Sequence, residues 1–149
     1  MTPERDGFSR IDAAYAIEPA TLSADSTPAT VDMKGARRAT LLLGIGAGGI
    51  TFTGTNKIEF VLTHSDDNVT YTPVVADDLI VDALAPASIT DGVVRALIAA
   101  HAAATLQKVG YIGGKRYLKL LADFSGTHGT GTPISAVVVR SDLDLQRVA

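Results

Sequence analysis

The sequence predicts an all-β protein, a single β-sandwich or jelly-roll-like domain with an extended N-terminal arm. Three observations support this class. Apolar and more polar side chains alternate in Lys57–His64, which is typical of a strand. Glycine (14) and proline (6) are scattered along the 149 residues, as expected for short strands joined by tight turns. Small and β-branched residues supply much of the hydrophobic fraction of 46%.

The N-terminal segment reads as an arm. Residues 1–28 hold few apolar positions, and Pro3, Pro19 and Pro28 interrupt any long helix. We expect a brief strand at Ala13–Ile17 within the arm and another just beyond it at Ala29–Met33. Arms stay ordered when they lie on something, so this one is expected to contact another chain. The predicted division is an arm over 1–28 and a sandwich domain over 29–149.

The next segments are predicted strands. Arg38–Ile45 is a dense apolar run, and Lys57–His64 alternates apolar residues with more polar ones. Ser65–Asn68 supplies turn chemistry, because Asp and Asn side chains bond to their own backbone and tolerate left-handed φ. Val69–Val75 then returns as the partner strand. Lys57–Val75 is therefore predicted to be a β-hairpin.

The middle of the chain allows two interpretations. Val93–Ala104 has a helix-like apolar spacing and an Ala-rich end. The same letters allow a strand at Val93–Ala99, a turn near His101 and a strand at Leu106–Tyr111. We favour the strands, with a short helix near 92–104 as the alternative.

The last third is predicted to contain two strands. Lys115–Phe124 and Ile134–Arg140 are the strands, and Ser125–Pro133 is the glycine-rich loop between them.

Several predicted strands are apolar at consecutive positions: Leu41-Leu42-Leu43, Leu120-Leu121-Ala122 and Ala136–Val139. Since neighbouring residues of a strand point to opposite faces, both faces of each strand are apolar. A second molecule would cover the outer face, or else the arm or the segment Asp77–Asp91 would fold over it.

Composition excludes several function classes. The net charge is −3, and no run of Lys and Arg is longer than a pair, which makes nucleic acid an unlikely partner. The longest apolar stretches fall far short of the about 20 residues of a membrane-spanning helix. The N-terminus lacks the apolar region of a secretory signal, and there is no Cys, so we expect synthesis and assembly in the cytoplasm.

Candidate catalytic and cofactor motifs fail on context. Gly44–Gly49 matches G-x-G-x-x-G after a strand, but too few residues precede the next strand for the helix of a dinucleotide site. Gly113-Gly114-Lys115 lacks the other residues of a P-loop. His64 with Asp66–Asn68 lacks the residue order of a calcium loop, and His128 with its hydroxyl neighbours lacks a nucleophile elbow. We therefore predict no catalytic residue, no cofactor and no metal.

The densest basic and aromatic patch comprises Tyr111, Lys115, Arg116, Tyr117 and Lys119. Strand alternation places Lys115, Tyr117 and Lys119 on one side and Arg116 on the other. A solvated strand face is the simplest interpretation, and contact with acidic residues of a partner protein is the second.

Two segments carry a resemblance to a known family. HSDDNVTYTPV at His64–Val74 and VGYIGGKRYLKLLADFSGTHGTGTPISAVVV at Val109–Val139 resemble small virion structural proteins of tailed bacteriophages. The resemblance covers roughly Lys57 to Arg140 and excludes Met1–Asp12 and Ser141–Ala149. It implies a capsid decoration or cement protein without enzyme activity, which binds and stabilises the head shell from outside.

That resemblance also implies partners. They are the major capsid protein of the phage head and further copies of this chain in a dimer or trimer. We expect the contacts to come from basic and aromatic side chains of the arm, the patch and the glycine-rich loop. These candidates are Arg5, Phe8, Arg10, Tyr15, Lys115, Tyr117, Lys119 and His128.

Two other functions are retained as alternatives. A tail or head–tail connector component would occur in a few copies instead of covering the lattice. A carbohydrate-binding β-sandwich would line one face with aromatic rings, for which four Tyr, four Phe and no Trp are few.

Overall fold

The computed structural model describes residues 7–143. In that range the chain forms ten strands and two short 3₁₀ turns, Phe8–Arg10 and Ala76–Asp78. The strands are β1 (Ile11–Leu22), β2 (Val31–Asp32), β3 (Ala36–Ile45), β4 (Lys57–Ser65), β5 (Thr72–Pro73), β6 (Leu79–Ile80), β7 (Val93–Leu97), β8 (Thr105–Tyr111), β9 (Tyr117–Ser125) and β10 (Thr132–Leu143). No helix within 7–143 has the length and apolarity to span a membrane.

The strands form two antiparallel sheets. Sheet I has the order β1-β10-β3-β8-β6, and sheet II has the order β2-β9-β4-β5, with β7 also paired to β4. The buried side chains of both sheets belong to one hydrophobic core. The predicted all-β sandwich is confirmed.

The core follows from period-two alternation. In sheet I, Leu41 lies opposite Val138 on one side and Val109 on the other, and all three are at most 1% exposed. In sheet II, Phe60 and Leu62 lie opposite Ala122 and Leu120, and these four are fully buried. Each strand therefore turns every second side chain into the space between the sheets.

The ambiguous middle segment is strand. β7 and β8 occupy the two predicted strand positions, so the helix near 92–104 is wrong. Val94 and Leu97 join the core, and β7 pairs with β4 from Ile58 to Val61. Pairing along β4 and burial in the core outweigh the helix propensity of the alanines.

The hairpin of β4 and β5 is confirmed, although its second strand is short. Asp67 Oδ1 accepts hydrogen bonds from the backbone N–H groups of Val69 and Thr70, and Asn68 has a φ of 59°. Only Thr72–Pro73 pairs as β5, since the same edge of β4 is taken further along by β7.

Much of the predicted arm is a strand of the sandwich. β1 pairs with β10 from Ile11–Ser141 to Leu22–Thr132, and Ala16 and Ile17 are buried in the core. The separate arm over 1–28 is therefore wrong for 11–22. The prediction took Pro19 as a break in regular structure. Proline is tolerated in an edge strand, however, and β1 is the edge of sheet I.

Two adjacent leucines of β3 test which face of the strand points into the core. We expect Leu43→Ala to lower the free energy of unfolding by about 2–5 kcal/mol, because the truncation leaves a cavity between the sheets. Leu42→Ala should cost clearly less, since Leu42 points outward and is half-buried. Urea unfolding of the two variants measures the difference, and equal losses would contradict the assignment of the inner face.

Gly131 supports a close approach between β10 and the end of β1. Its φ is +91°, and a methyl group there would lie 2.6 Å from the Leu22 carbonyl oxygen. We expect Gly131→Ala to destabilise the fold by at least about 1–3 kcal/mol, because both the backbone and the space oppose a side chain. Gly54→Ala is the matched control, since its methyl group meets nothing within 4 Å. A thermal melt in which both variants behave alike would refute this account.

Candidate partner-binding surface

The outer side of sheet I is an apolar surface. The register places Tyr15, Val137 and Leu42 side by side across β1, β10 and β3. In the next row, Ala13, Val139 and Thr40 lie side by side. This row continues across the sheet through Gly110 on β8 to Ile80 on β6. We call this surface the apolar face and define it by these outward residues: Ile11, Ala13, Tyr15, Thr40, Leu42, Ile80, Leu106, Val137 and Val139.

Exposure distinguishes the centre of the apolar face from its margins. Leu42, Val137 and Val139 are half-buried by their neighbours, whereas Leu106 is 72% and Ile80 63% exposed. Contiguous exposed apolar surface is unusual on a protein that works alone and marks a binding surface. The face therefore offers apolar area to a partner.

Charge is sparse on this side of the molecule. Among the outward positions of β3, β8 and β10, two carry charge: the exposed Lys108 lies opposite Leu42, and Arg38 lies at the margin, 3.4 Å from Asp142. The outer side of sheet II differs, because Lys57 pairs with Glu59 at 3.0 Å and Asp123 lies opposite Glu59. The two outer surfaces of the sandwich are thus suited to different surroundings.

The structure separates the predicted contact residues into groups. Tyr15 lies on the apolar face and is 50% exposed, while Phe8 is 90% exposed in the turn before β1. Arg10 is exposed in the same turn. Arg5 lies outside the described residues. The predicted N-terminal contacts that can be located therefore lie on or beside the apolar face.

The basic and aromatic candidates lie elsewhere. Tyr117 and Lys119 are on β9 of sheet II, with the Lys119 ammonium 4.5 Å from the ring centre of Tyr71. Lys115 precedes β9, and its Nζ lies 3.2 Å from the Asp66 carboxylate. The structure does not bring these residues together with Tyr15, which belongs to sheet I.

His128 is a correction to the predicted contacts. It is 3% exposed and packs edge-on against Phe124, with Phe52 on another side. Its Nε2 hydrogen bonds to the Ser125 carbonyl oxygen at 2.7 Å. The ring is therefore unavailable to a partner. The glycine-rich loop around His128 suggested an exposed side chain, since the Phe52 ring that covers it comes from a distant part of the sequence.

Sequence reasoning missed the individual residues of the apolar face other than Tyr15. The consecutive apolar letters at Leu41–Leu43 and Ala136–Val139 did indicate a second apolar side, and the structure shows Leu42 and Val137 there. Leu106 and Ile80 lacked such a signal. Their position follows from pairing with Gly44 and Gly110, which only the assembled sheet shows.

The glycine-rich motif has a packing role. Methyl groups on Gly44 and Gly46 would lie within 3 Å of Ser135 and Pro133 on the adjacent β10. The segment after the motif continues as a loop to β4, without the helix that a dinucleotide site needs. Within 7–143 no group of three or more His, Asp or Glu side chains is arranged to hold a metal ion.

A polar cluster lies at the end of the sandwich where β4 and β8 finish. His64 Nδ1 and the Tyr111 hydroxyl form a hydrogen bond of 2.8 Å, and the rings meet edge to face. His64 Nε2 lies 3.9 Å from Asp78, and the Tyr111 hydroxyl accepts a hydrogen bond from the Lys115 backbone N–H. The cluster ties the loop before β9 to the core.

Burial determines the protonation of this cluster. It lowers the pKa of His64, and the neighbouring Lys115 acts in the same direction, whereas Asp78 and Asp66 oppose the shift. Burial also raises the pKa of Tyr111 to about 12. At neutral pH the imidazole and the phenol are therefore both uncharged.

No protein-family model, curated protein or solved structure matches this chain.

The lowered pKa of His64 predicts a pH dependence of stability. As the pH falls through 6.5, the unfolded chain takes up a proton that the folded His64 resists, so the free energy of unfolding decreases. We expect His64→Gln to flatten that part of the profile between pH 7.5 and 5.5, as measured by urea unfolding. His101→Gln, which removes an imidazole outside the cluster, should retain it. If the His64→Gln variant keeps the wild-type dependence of stability on pH, the prediction is contradicted.

Proposed function

We propose that this chain is a structural protein of a tailed-bacteriophage particle, a decoration or cement protein that binds the outside of the assembled head shell. The observation that carries the proposal is the apolar face of sheet I. It offers a broad surface for a protein partner, with Leu42, Val137 and Val139 at its centre. The resemblance of His64–Val74 and Val109–Val139 to small virion proteins indicates the kind of partner, which is the major capsid protein of the head.

The order of the strands adds support. The chain passes from one sheet to the other at every step along β1 to β10 except from β4 to β5. This alternation favours a jelly-roll-like arrangement, an architecture that viral capsid domains use. A compact two-sheet scaffold of this kind can present one whole side to a lattice.

Stabilisation of a shell requires no chemistry. A molecule that contacts two or three shell subunits binds the closed lattice better than free subunits, and this differential affinity shifts the equilibrium toward the intact head. Apolar area suits that task, because its removal from water is favourable at about 25 cal/mol per Å². Many modest contacts repeated over the lattice then add up.

Copy number distinguishes this proposal from a tail or connector component. In purified virions, band intensity relative to the major capsid protein should correspond to copies over the whole lattice. A ratio that corresponds to one ring or a few copies would assign the chain to the tail or the connector and would overturn the decoration role.

A pair of variants tests the surface itself. We expect Leu106→Glu to reduce occupancy on particles by at least about tenfold, because it places a charge on the apolar face where a partner must exclude water. Val69→Glu is the matched control, since Val69 is 81% exposed in the β4–β5 turn. Both variants should unfold like the wild type in urea. Equal occupancy of the two variants would show that the apolar face is not the contact.

A further inference from the structure

A basic cleft lies at the end of the sandwich that also holds His64 and Tyr111. The β2–β3 turn and the loop between β8 and β9 lie side by side there, joined by a hydrogen bond of 2.6 Å from the Met33 N–H to the Arg116 carbonyl oxygen. The cleft has a volume of about 500 Å³. Its charged lining residues are Lys34, Arg37, Asp66, Lys115 and Arg116.

The cleft is positively charged within an acidic protein. Four cationic side chains line it against the single carboxylate of Asp66, while the whole chain carries −3. Asp66 is taken by Lys115, and Arg116 forms a two-bond pair with Asp32 at 3.0 and 3.1 Å. Arg37 makes no ion pair with any residue of 7–143. One guanidinium therefore remains for an external anion.

The groups around the cleft are held in place. Arg116 is fixed by its pair with Asp32, and Lys115 is held through its backbone N–H, which donates to the Tyr111 hydroxyl at 3.1 Å. Tyr111 is 1% exposed and is itself bonded to His64. Because both loops are held, anion binding has to order little beyond the exposed Arg37 side chain, which favours binding.

We infer that this cleft binds a carboxylate of an acidic peptide segment on a partner protein. The Arg37 guanidinium, which has no ion pair within 7–143, can bind a carboxylate through two parallel hydrogen bonds. A nucleic-acid backbone fits less well, because it needs a row of free cations, whereas two of the four cations here are already paired with Asp66 and Asp32. The inference goes beyond the proposed function, since it assigns a polar site outside the apolar face and holds for any acidic protein partner.

The test uses the full chain labelled with nitrogen-15 and a blocked hexaglutamate peptide as the probe. We expect amide shifts to change at residues 34–37 and 113–116 and to diminish when the salt concentration is raised from about 0.05 to 0.3 M, because salt screens the attraction. Inorganic phosphate and a hexathymidylate strand are titrated in parallel under the same conditions.

Two variants localise the binding. Arg37→Ala should weaken peptide binding by at least about tenfold, the loss expected for one charge-assisted pair. Lys108→Ala, which removes an exposed cation from the outer side of β8, should leave binding unchanged. The inference is overturned by shifts that map elsewhere, by equal effects of the two variants, by the absence of peptide binding, or by equal or tighter binding of phosphate or hexathymidylate. Particle occupancy does not enter the test, so its outcome is separate from that of the decoration role.

Discussion

The packing of two inner sheet faces against each other is the constraint on which this structure depends. The chain has no cysteine, so no disulfide stabilises it. Leu41, Leu43, Phe60, Leu62 and Leu120 are fully buried and come from both sheets. Because they lie at alternate positions, a shift of one residue in any strand would turn them to water. The register of the core therefore also determines which residues form the outer faces.

Polar groups enter the sandwich where that packing reaches its margins. Arg95 is 2% exposed, and its guanidinium donates to the Lys108 carbonyl oxygen and to Asp82 Oδ1 at 2.7 Å. Since β7 belongs to sheet II and β8 to sheet I, these bonds tie the sheets together along the side where β7 lies. A buried charge of this kind is tolerated only with all its partners in place, which makes Arg95 a determinant of the β7–β8 geometry.

Sequence patterns were informative wherever structure depends on near neighbours. Alternation located β4, apolar runs indicated β3, β9 and β10, and β8 was the favoured of two interpretations. The Asp67 turn was predicted from residues that bond within four positions. Pairing between distant segments was not readable. β1 was mistaken for an arm because its burial depends on β10, and His128 was placed at the surface because Phe52 and Phe124 cover it only in the folded chain. The second apolar side was foreseen, but its extent depends on sheet register.

The two surfaces differ in what each can contribute to recognition. Apolar contact through Leu42, Val137 and Leu106 would supply affinity without strong orientation, because burial of apolar area is not directional. The cleft around Arg37 would supply orientation, since a guanidinium–carboxylate pair has a defined geometry. A partner with a positive charge at that position would be repelled, so the cleft would also exclude wrong partners. A lattice-binding protein needs both properties, because each copy must occupy an equivalent position, and the proposed division places them on different parts of one rigid sandwich.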